Sequence, residues 1–260
     1  MQNTSQFLHL ACNIHVAYES LRARLADHGL FDRLAMTYKS QRHFFPDRNS
    51  AEFWDDIFES GYVHHPMAES RENIIVNLID SKKNILNIGV GRGFLEQRLF
   101  KLCGNNVDYC GTDITPVTIN KLRKSFPRHK FILCDPWRLP FDDSSRSQVM
   151  LLEVLEHIKP KDTFKLLSEI NRITMRNGIF ILSVPINEGL IEMLPSNPNS
   201  HMRLYTEQIV KYELRTSGFS IEKIIRLSAF NKFFRIKSFV NNIFHLRVPN
   251  NLILVCRKVK

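Results

Sequence analysis

No apolar run in the sequence approaches the ~18 residues that a membrane span needs. The opening MQNTSQFLHLACNIH lacks the basic start and the apolar stretch of an export signal. The five cysteines (Cys12, Cys103, Cys110, Cys134 and Cys256) are odd in number and form no C-x-x-C pair. They read as free thiols in a reducing compartment rather than as a disulfide framework or a zinc site. Internal repeats and low-complexity tracts are missing as well. These absences exclude a membrane-spanning protein and a disulfide-stapled secreted module, and they predict a cytoplasmic location.

Acidic residues are scarce at one end. From Arg203 to Lys260 there are 12 Lys and Arg against Glu207, Glu213 and Glu222, a net of +9, while the whole chain carries +10. A basic end of this kind predicts an anionic partner: a lipid surface, a nucleic acid or an acidic substrate. Acids are absent altogether from LSAFNKFFRIKSFVNNIFHLRVPN (227–250), which holds five phenylalanines, with Phe230, Phe233, Val240, Ile243 and Phe244 close to one helical face. This insert reads in three ways. It is a helix packed on the body of the protein, a helix touching an anionic membrane and admitting a lipid-like acceptor, or a nucleic-acid contact.

What is present is a chain of 260 residues, 43% hydrophobic and 24% charged, enough to bury a substantial core. Residues 1–65 have few glycines and apolar positions at helical spacing, and read as a helical extension in which Ser50 caps a helix and Gly61 stops it. A further helix is expected over 65–80. From residue 84 to the end, short apolar runs (NILNIG, VDYCGTDI, KFILCDP, SQVMLLE, GIFILSVP, LILVCRK) alternate with helical segments at 94–103, 116–125, 160–175 and 206–217. That alternation predicts an α/β fold with a doubly wound parallel sheet, in a domain over 66–260.

The stretch NILNIGVGRGFLEQRL (84–99) places Gly89, Gly91 and Gly93 between the first strand and its helix. A dinucleotide fingerprint would need glycine at 94, where Phe94 stands, and the G-K-[S/T] of a phosphate loop is missing. A G-x-G-x-G turn suits a ligand that lays a ribose and a short amino-acid tail across it. Asp113 ends the second strand, where it could accept from both ribose hydroxyls, and Asp135 ends the third, where it could accept from an adenine amino group.

Taken together, residues 84–258 resemble a class I S-adenosylmethionine-dependent methyltransferase. ILNIGVGRG resembles the family's glycine motif, GTDIT its ribose-binding strand end, LCDPWRLPFDD its adenine-side loop, and LEVLEHI and NGIFILSVP its fourth and fifth strands. HMRLYTEQIVKYELRTSGFSIEKI is similar to the ubiquinone-biosynthesis O-methyltransferase-like branch. The resemblance implies a seven-stranded Rossmann-like sheet with an antiparallel last strand. It implies S-adenosyl-L-methionine held by Asn87, Gly89, Gly91, Gly93, Asp113, Ile114, Asp135, Pro136 and Glu153. Two departures stand out. Asn87 occupies a position where the family usually has an acid, and Arg146 and Ser147 replace an aromatic–Asp pair before the fourth strand.

Methyl transfer from a sulfonium needs an aligned acceptor and removal of its proton. The expected catalytic residues are His157 and Glu156, with His157 a base that titrates near neutrality. If 153–157 starts a helix, Glu153, Glu156 and His157 share a face. These three also resemble the metal set of two branches, ubiquinone-pathway O-methyltransferases and RNA 3′-terminal 2′-O-methyltransferases, which implies Mg²⁺ or another divalent ion; in the latter branch a second histidine completes the site, the place His201 would take. A purely structural role for the cluster is the remaining alternative. Arg203 and Tyr205 are expected either to contact the acceptor or, for Tyr205, to pack beneath the loop 186–206. The activity expected is O-methylation of a small or lipid-like acceptor, with peripheral contact to an anionic membrane. RNA ribose methylation and a non-catalytic binding subunit are the alternatives.

Overall fold

A computed structural model of the chain describes residues 48–60, 66–188, 199–228 and 248–259. Expectations for residues 1–47, and for the 229–247 part of the basic aromatic insert, lie outside the described residues. Among the described residues, no helix is long and apolar enough to cross a membrane.

Helix α1 (Ala51–Glu59) begins where Ser50 Oγ accepts from the Phe53 amide at 3.2 Å, satisfying a donor that the first turn leaves open. Helix α2 (Pro66–Val76) starts on the predicted proline and ends four residues short of the expected 80. The remaining elements are β1 (Ile85–Ile88), α3 (Phe94–Cys103), β2 (Tyr109–Asp113), α4 (Pro116–Ser125), β3 (Lys130–Leu133) and β4 (Arg146–Leu152). They continue as α5 (Thr163–Ile173), β5 (Thr174–Pro185), α6 (Glu207–Thr216), β6 (Phe219–Leu227) and β7 (Asn251–Lys258). α3 and α4 fall on the predicted ranges; α4 opens with Pro116 in its first turn, where a missing N–H costs nothing. α5 stops earlier than predicted. β5 begins directly at Thr174, with Asn177 in the left-handed region (φ 61°) marking an irregularity inside a 12-residue strand.

Seven strands form one sheet in the order β3-β2-β1-β4-β5-β7-β6. β1 pairs in parallel with both β2 and β4, β2 with β3 and β4 with β5, whereas β7 runs antiparallel to β5 and β6. This is the doubly wound, mostly parallel sheet with an antiparallel last strand. Its central strand ILNI is buried along its whole length, as expected when helices cover both faces. Alternate residues feed two cores. Leu86, Val149, Leu151 and Leu182 pack against the α5 residues Leu166, Leu167 and Ile170 on one face. Ile85, Met150, Ile181 and Ile253 pack against Ile75, Leu95, Leu99 and Leu122 on the other. Burying each such side chain contributes about 2 kcal/mol.

Strand order reverses between β1 and β4, since the chain runs outward from β1 to β3 and then returns to β4. A crevice opens beyond the carboxyl ends of strands at such a reversal. Asn87, Asp113 and Glu153 all stand at that end.

Candidate active site

A cavity of about 1160 Å³ occupies the crevice, walled by the ends of β1, β2 and β4 and covered by Trp54 and Phe58 of α1 and by Met67 and Arg71 of α2. The glycine turn forms one side. Gly89 has φ 78° and Gly93 φ 74°; a Cβ on them would meet Val154 Cγ2 at 2.5 Å and Leu122 Cδ2 at 2.4 Å. Only glycine combines that backbone with so close an approach. The turn is fastened to β2, because Gly89 and Val90 donate to the Thr112 carbonyl at 2.8 and 3.1 Å and Gly91 donates to Asp113 Oδ2 at 2.9 Å.

Asp113 therefore organises the turn as well as lining the cavity. Its Oδ1 accepts from the Thr115 amide and hydroxyl at 3.0 and 2.9 Å. Burial raises the carboxyl's pKa, with the Gly91 and Thr115 bonds pulling against that rise. Ile114, Asp135 and Pro136 line the same side. Asp135 is exposed and its Oδ1 accepts from the Trp137 amide at 2.9 Å, a local turn that aims the loop.

Beneath the turn, Asn87 Nδ2 donates to Glu96 Oε1 at 2.8 Å, and the Tyr109 hydroxyl donates to the same oxygen. Glu96 is fully buried, and burial raises its pKa against the pull of those two donors. The sequence does signal Glu96. It stands three and four residues before Leu99 and Phe100, on the apolar face of α3, where an acid is out of place.

At the end of β4 the structure separates what a helix would have joined. Glu153 has φ 53° and its amide donates to the Ser183 carbonyl at 3.0 Å, so the conditional shared face with Glu156 and His157 does not form. Its carboxylate accepts from Arg71 Nη1 at 2.8 Å, Ser183 Oγ at 2.8 Å and Asn251 Nδ2 at 3.1 and 3.0 Å. A tight helical turn then spans Leu155–His157. It brings Glu156 and His157 beside His201, with one candidate ligand atom from each lying within 4.8 Å of the others. The Trp54 ring meets His157 edge-on with centroids 4.7 Å apart, and His201 Nδ1 lies 2.8 Å from Glu188 Oε2.

The electrostatics of this cluster differ from the expectation for His157. Burial, with His201 adding to it, lowers the His157 pKa to about 3. The ring is therefore neutral at neutral pH and is a weak proton acceptor. Burial, reinforced by the charge of Glu153, moves Glu156 the other way, well above the usual carboxylate range. Its Oε2 makes no hydrogen bond among the described residues. Burial thus raises the proton affinity of Glu156 and lowers that of His157.

Arg203 does not reach an acceptor. It is fully buried beside Tyr205, where its Nη1 donates to Thr163 Oγ1 at 2.7 Å and to Tyr205 Oη at 2.6 Å. Tyr205 is itself buried, and its hydroxyl donates to Glu213 Oε2 at 3.1 Å; residues 189–198 of the loop lie outside the described residues. The unusual Arg146 and Ser147 are structural: Arg146 lies over the Phe141 ring at 4.2 Å, and the Ser147 amide donates to Asn84 Oδ1 at 2.6 Å.

Residues 86–182 match the protein family described as "Methyltransferase domain". No curated protein matches the chain in sequence. Among solved structures, the chain is similar to the 1,6-didemethyltoxoflavin-N1-methyltransferase of Burkholderia thailandensis, solved with bound 1,6-didemethyltoxoflavin and S-adenosylhomocysteine. The identity is 17%, over 84% of this chain and 92% of that one, with a TM-score of 0.60. It is similar to the magnesium protoporphyrin IX methyltransferase of Synechocystis PCC 6803, solved with bound S-adenosylhomocysteine, at 16% identity over 82% and 95% of the two chains and a TM-score of 0.57. A third likeness is to an S-adenosylmethionine-dependent methyltransferase from Archaeoglobus fulgidus, at 19% identity over 73% and 94% and a TM-score of 0.56. At these identities the likeness speaks for the fold.

Proposed function

We propose that the chain transfers a methyl group from S-adenosyl-L-methionine to a hydroxyl of a small or lipid-like acceptor. One observation supports this above the others: the glycine turn and Asp113 share a single cavity with the buried Glu156 and His201 and the partly buried His157. The residues fit the cofactor. Gly89 and Gly93 leave room that a Cβ would fill, and Asn87 offers a buried oxygen, Oδ1, with no partner among the described residues. Gly89, Gly91 and Gly93 would take the methionine and ribose part, Asp113 with Ile114 the ribose, and Asp135 with Pro136 the adenine. Two of the similar enzymes were solved with S-adenosylhomocysteine, which lends this assignment support.

The cofactor supplies an activated methyl group, so the chain's own work is alignment and proton removal. Glu156, whose proton affinity burial raises, takes the hydroxyl proton, and the neutral His157 and the Trp54 edge fix the acceptor. Glu153, tied to Arg71, Ser183 and Asn251, shapes the pocket wall. The basic, phenylalanine-bearing segment 227–250 favours an acceptor presented at an anionic surface, which vesicle co-sedimentation tests.

Titration calorimetry with S-adenosylhomocysteine on the wild type and Asp113→Ala is the direct test. Micromolar binding that the variant loses supports the reading, and no binding at millimolar ligand by folded protein overturns it.

A second reading concerns a divalent cation, favoured by the grouping of Glu156, His157 and His201 with Glu188 behind the His201 ring. Those three side chains would hold the ion, and Glu188 would orient His201. Such an ion lowers the pKa of a bound hydroxyl. Glu153, committed to Arg71, falls outside the set. Stoichiometric Mn²⁺ binding by calorimetry that His201→Asn abolishes would support the site.

A further inference from the structure

Glu96 is an unexpected place for an acid. It lies wholly inside the protein on α3, while the side chain beside it in the cavity floor, Asn87, is an amide. Removing a carboxyl from water costs several kcal/mol unless donors replace the lost hydration. Donors replace it on one oxygen: Asn87 Nδ2 at 2.8 Å and the Tyr109 hydroxyl both reach Oε1, while Oε2 has no partner among the described residues. The Asn87 amide could sit in either of two orientations related by a flip of its O and N. A carboxyl oxygen in front of it selects the one with Nδ2 inward. Oδ1 is then the atom left over, and it makes no hydrogen bond among the described residues. A buried, unpartnered acceptor at the foot of the glycine turn is costly in the free protein and becomes favourable when a ligand brings a donor.

We propose that Glu96 is a positioning residue for the cofactor. Through the Asn87 Nδ2 bond it presents Asn87 Oδ1 to the ammonium of the methionine tail, with Tyr109 holding the Glu96 carboxyl in place. This rests on the reading that S-adenosylmethionine occupies the turn. The acid and the amide divide one task between strand and helix: Asn87 touches the ligand and Glu96 decides which of its atoms does so. A Glu96 that merely fills space beside Leu95 and Leu99 would contribute to folding and leave ligand affinity alone.

The test is S-adenosylhomocysteine affinity by calorimetry, read beside thermal melting, on four variants of the full chain with Asp113→Ala as control. Glu96→Leu removes the acceptor and is expected to weaken binding at least tenfold. Glu96→Gln keeps an acceptor oxygen and stays within about threefold of wild type. Because Glu96→Leu is a core change, a second pair keeps the test independent of its folding. Asn87→Asp sets two carboxyls face to face and weakens binding at least fivefold, and Asn87→Asp with Glu96→Gln restores it, since the new amide donates to the new acid. Wild-type affinity in Glu96→Leu or in Asn87→Asp overturns the inference while the cofactor reading stands, and so does a double variant that fails to recover. Failure of the wild type itself to bind overturns the cofactor reading, and this inference with it.

Discussion

The guanidinium of Arg203 and the carboxylate of Glu213 meet at 2.5 Å with neither side chain exposed to solvent. Tyr205 Oη donates to the other Glu213 oxygen at 3.1 Å, and Thr163 takes one more Arg203 donor, so the pair ties the loop after His201 to α6 and α5. Burial raises the Glu213 pKa and the Arg203 charge opposes that rise. Removing one partner of a buried pair leaves an uncompensated charge, which costs about 3–5 kcal/mol. Arg203→Leu is therefore expected to lower the urea midpoint steeply or to prevent folding. Arg203→Met with Glu213→Leu, which removes both charges, is expected to recover most of the loss. A single variant with an unchanged midpoint would refute the pair's role.

Gly89 and Val154 form a second close relationship, because a Cβ on Gly89 would lie 2.5 Å from Val154 Cγ2. Gly89→Ala must both hold φ 78° and displace that methyl, a combined cost of about 2–4 kcal/mol. Trimming the neighbour with Val154→Ala relieves the clash and leaves only the backbone strain, about 1–2 kcal/mol. Thermal melts are expected to place Gly89→Ala below Gly89→Ala with Val154→Ala, and S-adenosylhomocysteine affinity is expected to follow the same order.

The sheet and the glycine turn were legible because their signals are local. Gly89, Gly91, Gly93 and Asp113 are brought together by adjacent parallel strands, and a strand followed by a turn predicts its own end. Glu96 carries a local signal too, as an acid on the apolar stripe of α3, but nothing in the glycine pattern points to it. The α5–β5 junction has no glycine or proline to mark it, so the helical pattern over 160–175 runs two residues past the helix's end at Ile173. The setting of Glu153 was out of reach. Arg71 and Asn251 stand 82 and 98 residues away from it, and only the folded sheet shows that they claim its carboxylate. Burial likewise decides His157, since a histidine titrates near neutrality until surrounding atoms exclude water.

Asp113 accepts three hydrogen bonds with two oxygens, one from the turn and two from Thr115. Asn at this position keeps one acceptor and turns an NH₂ group toward a donor, so either the Gly91 or the Thr115 contact is lost. Each bond to a charged acceptor contributes about 1.5–3 kcal/mol. Asp113→Asn is expected to weaken S-adenosylhomocysteine by roughly 10- to 100-fold while the far-ultraviolet circular dichroism stays unchanged. Retained affinity would mean that the turn holds its shape without the carboxylate.

His157 gives a pH dependence of defined sign. Its pKa is about 3 in the folded chain against an ordinary 6.5, so between those values the unfolded chain binds more protons than the folded one. Stability therefore falls as pH drops below 6.5, and the fall from this group ends near pH 3. Between pH 7.5 and pH 5 the loss from one such group is about 2 kcal/mol. Glu156 acts in the opposite direction. Its pKa is raised in the folded state, so the stability it contributes is lost as pH climbs above the ordinary carboxylate value of 4.5. Denaturant titrations in EDTA, at intervals from pH 5 to 7.5, separate the two groups. His157→Gln is expected to flatten the acid-side decline by nearly one proton's slope, and Glu156→Gln to leave that decline in place and improve stability toward pH 7.5. An acid-side slope identical in wild type and His157→Gln would mean that water reaches the ring, and that His157 rather than Glu156 is the group suited to take the acceptor's proton.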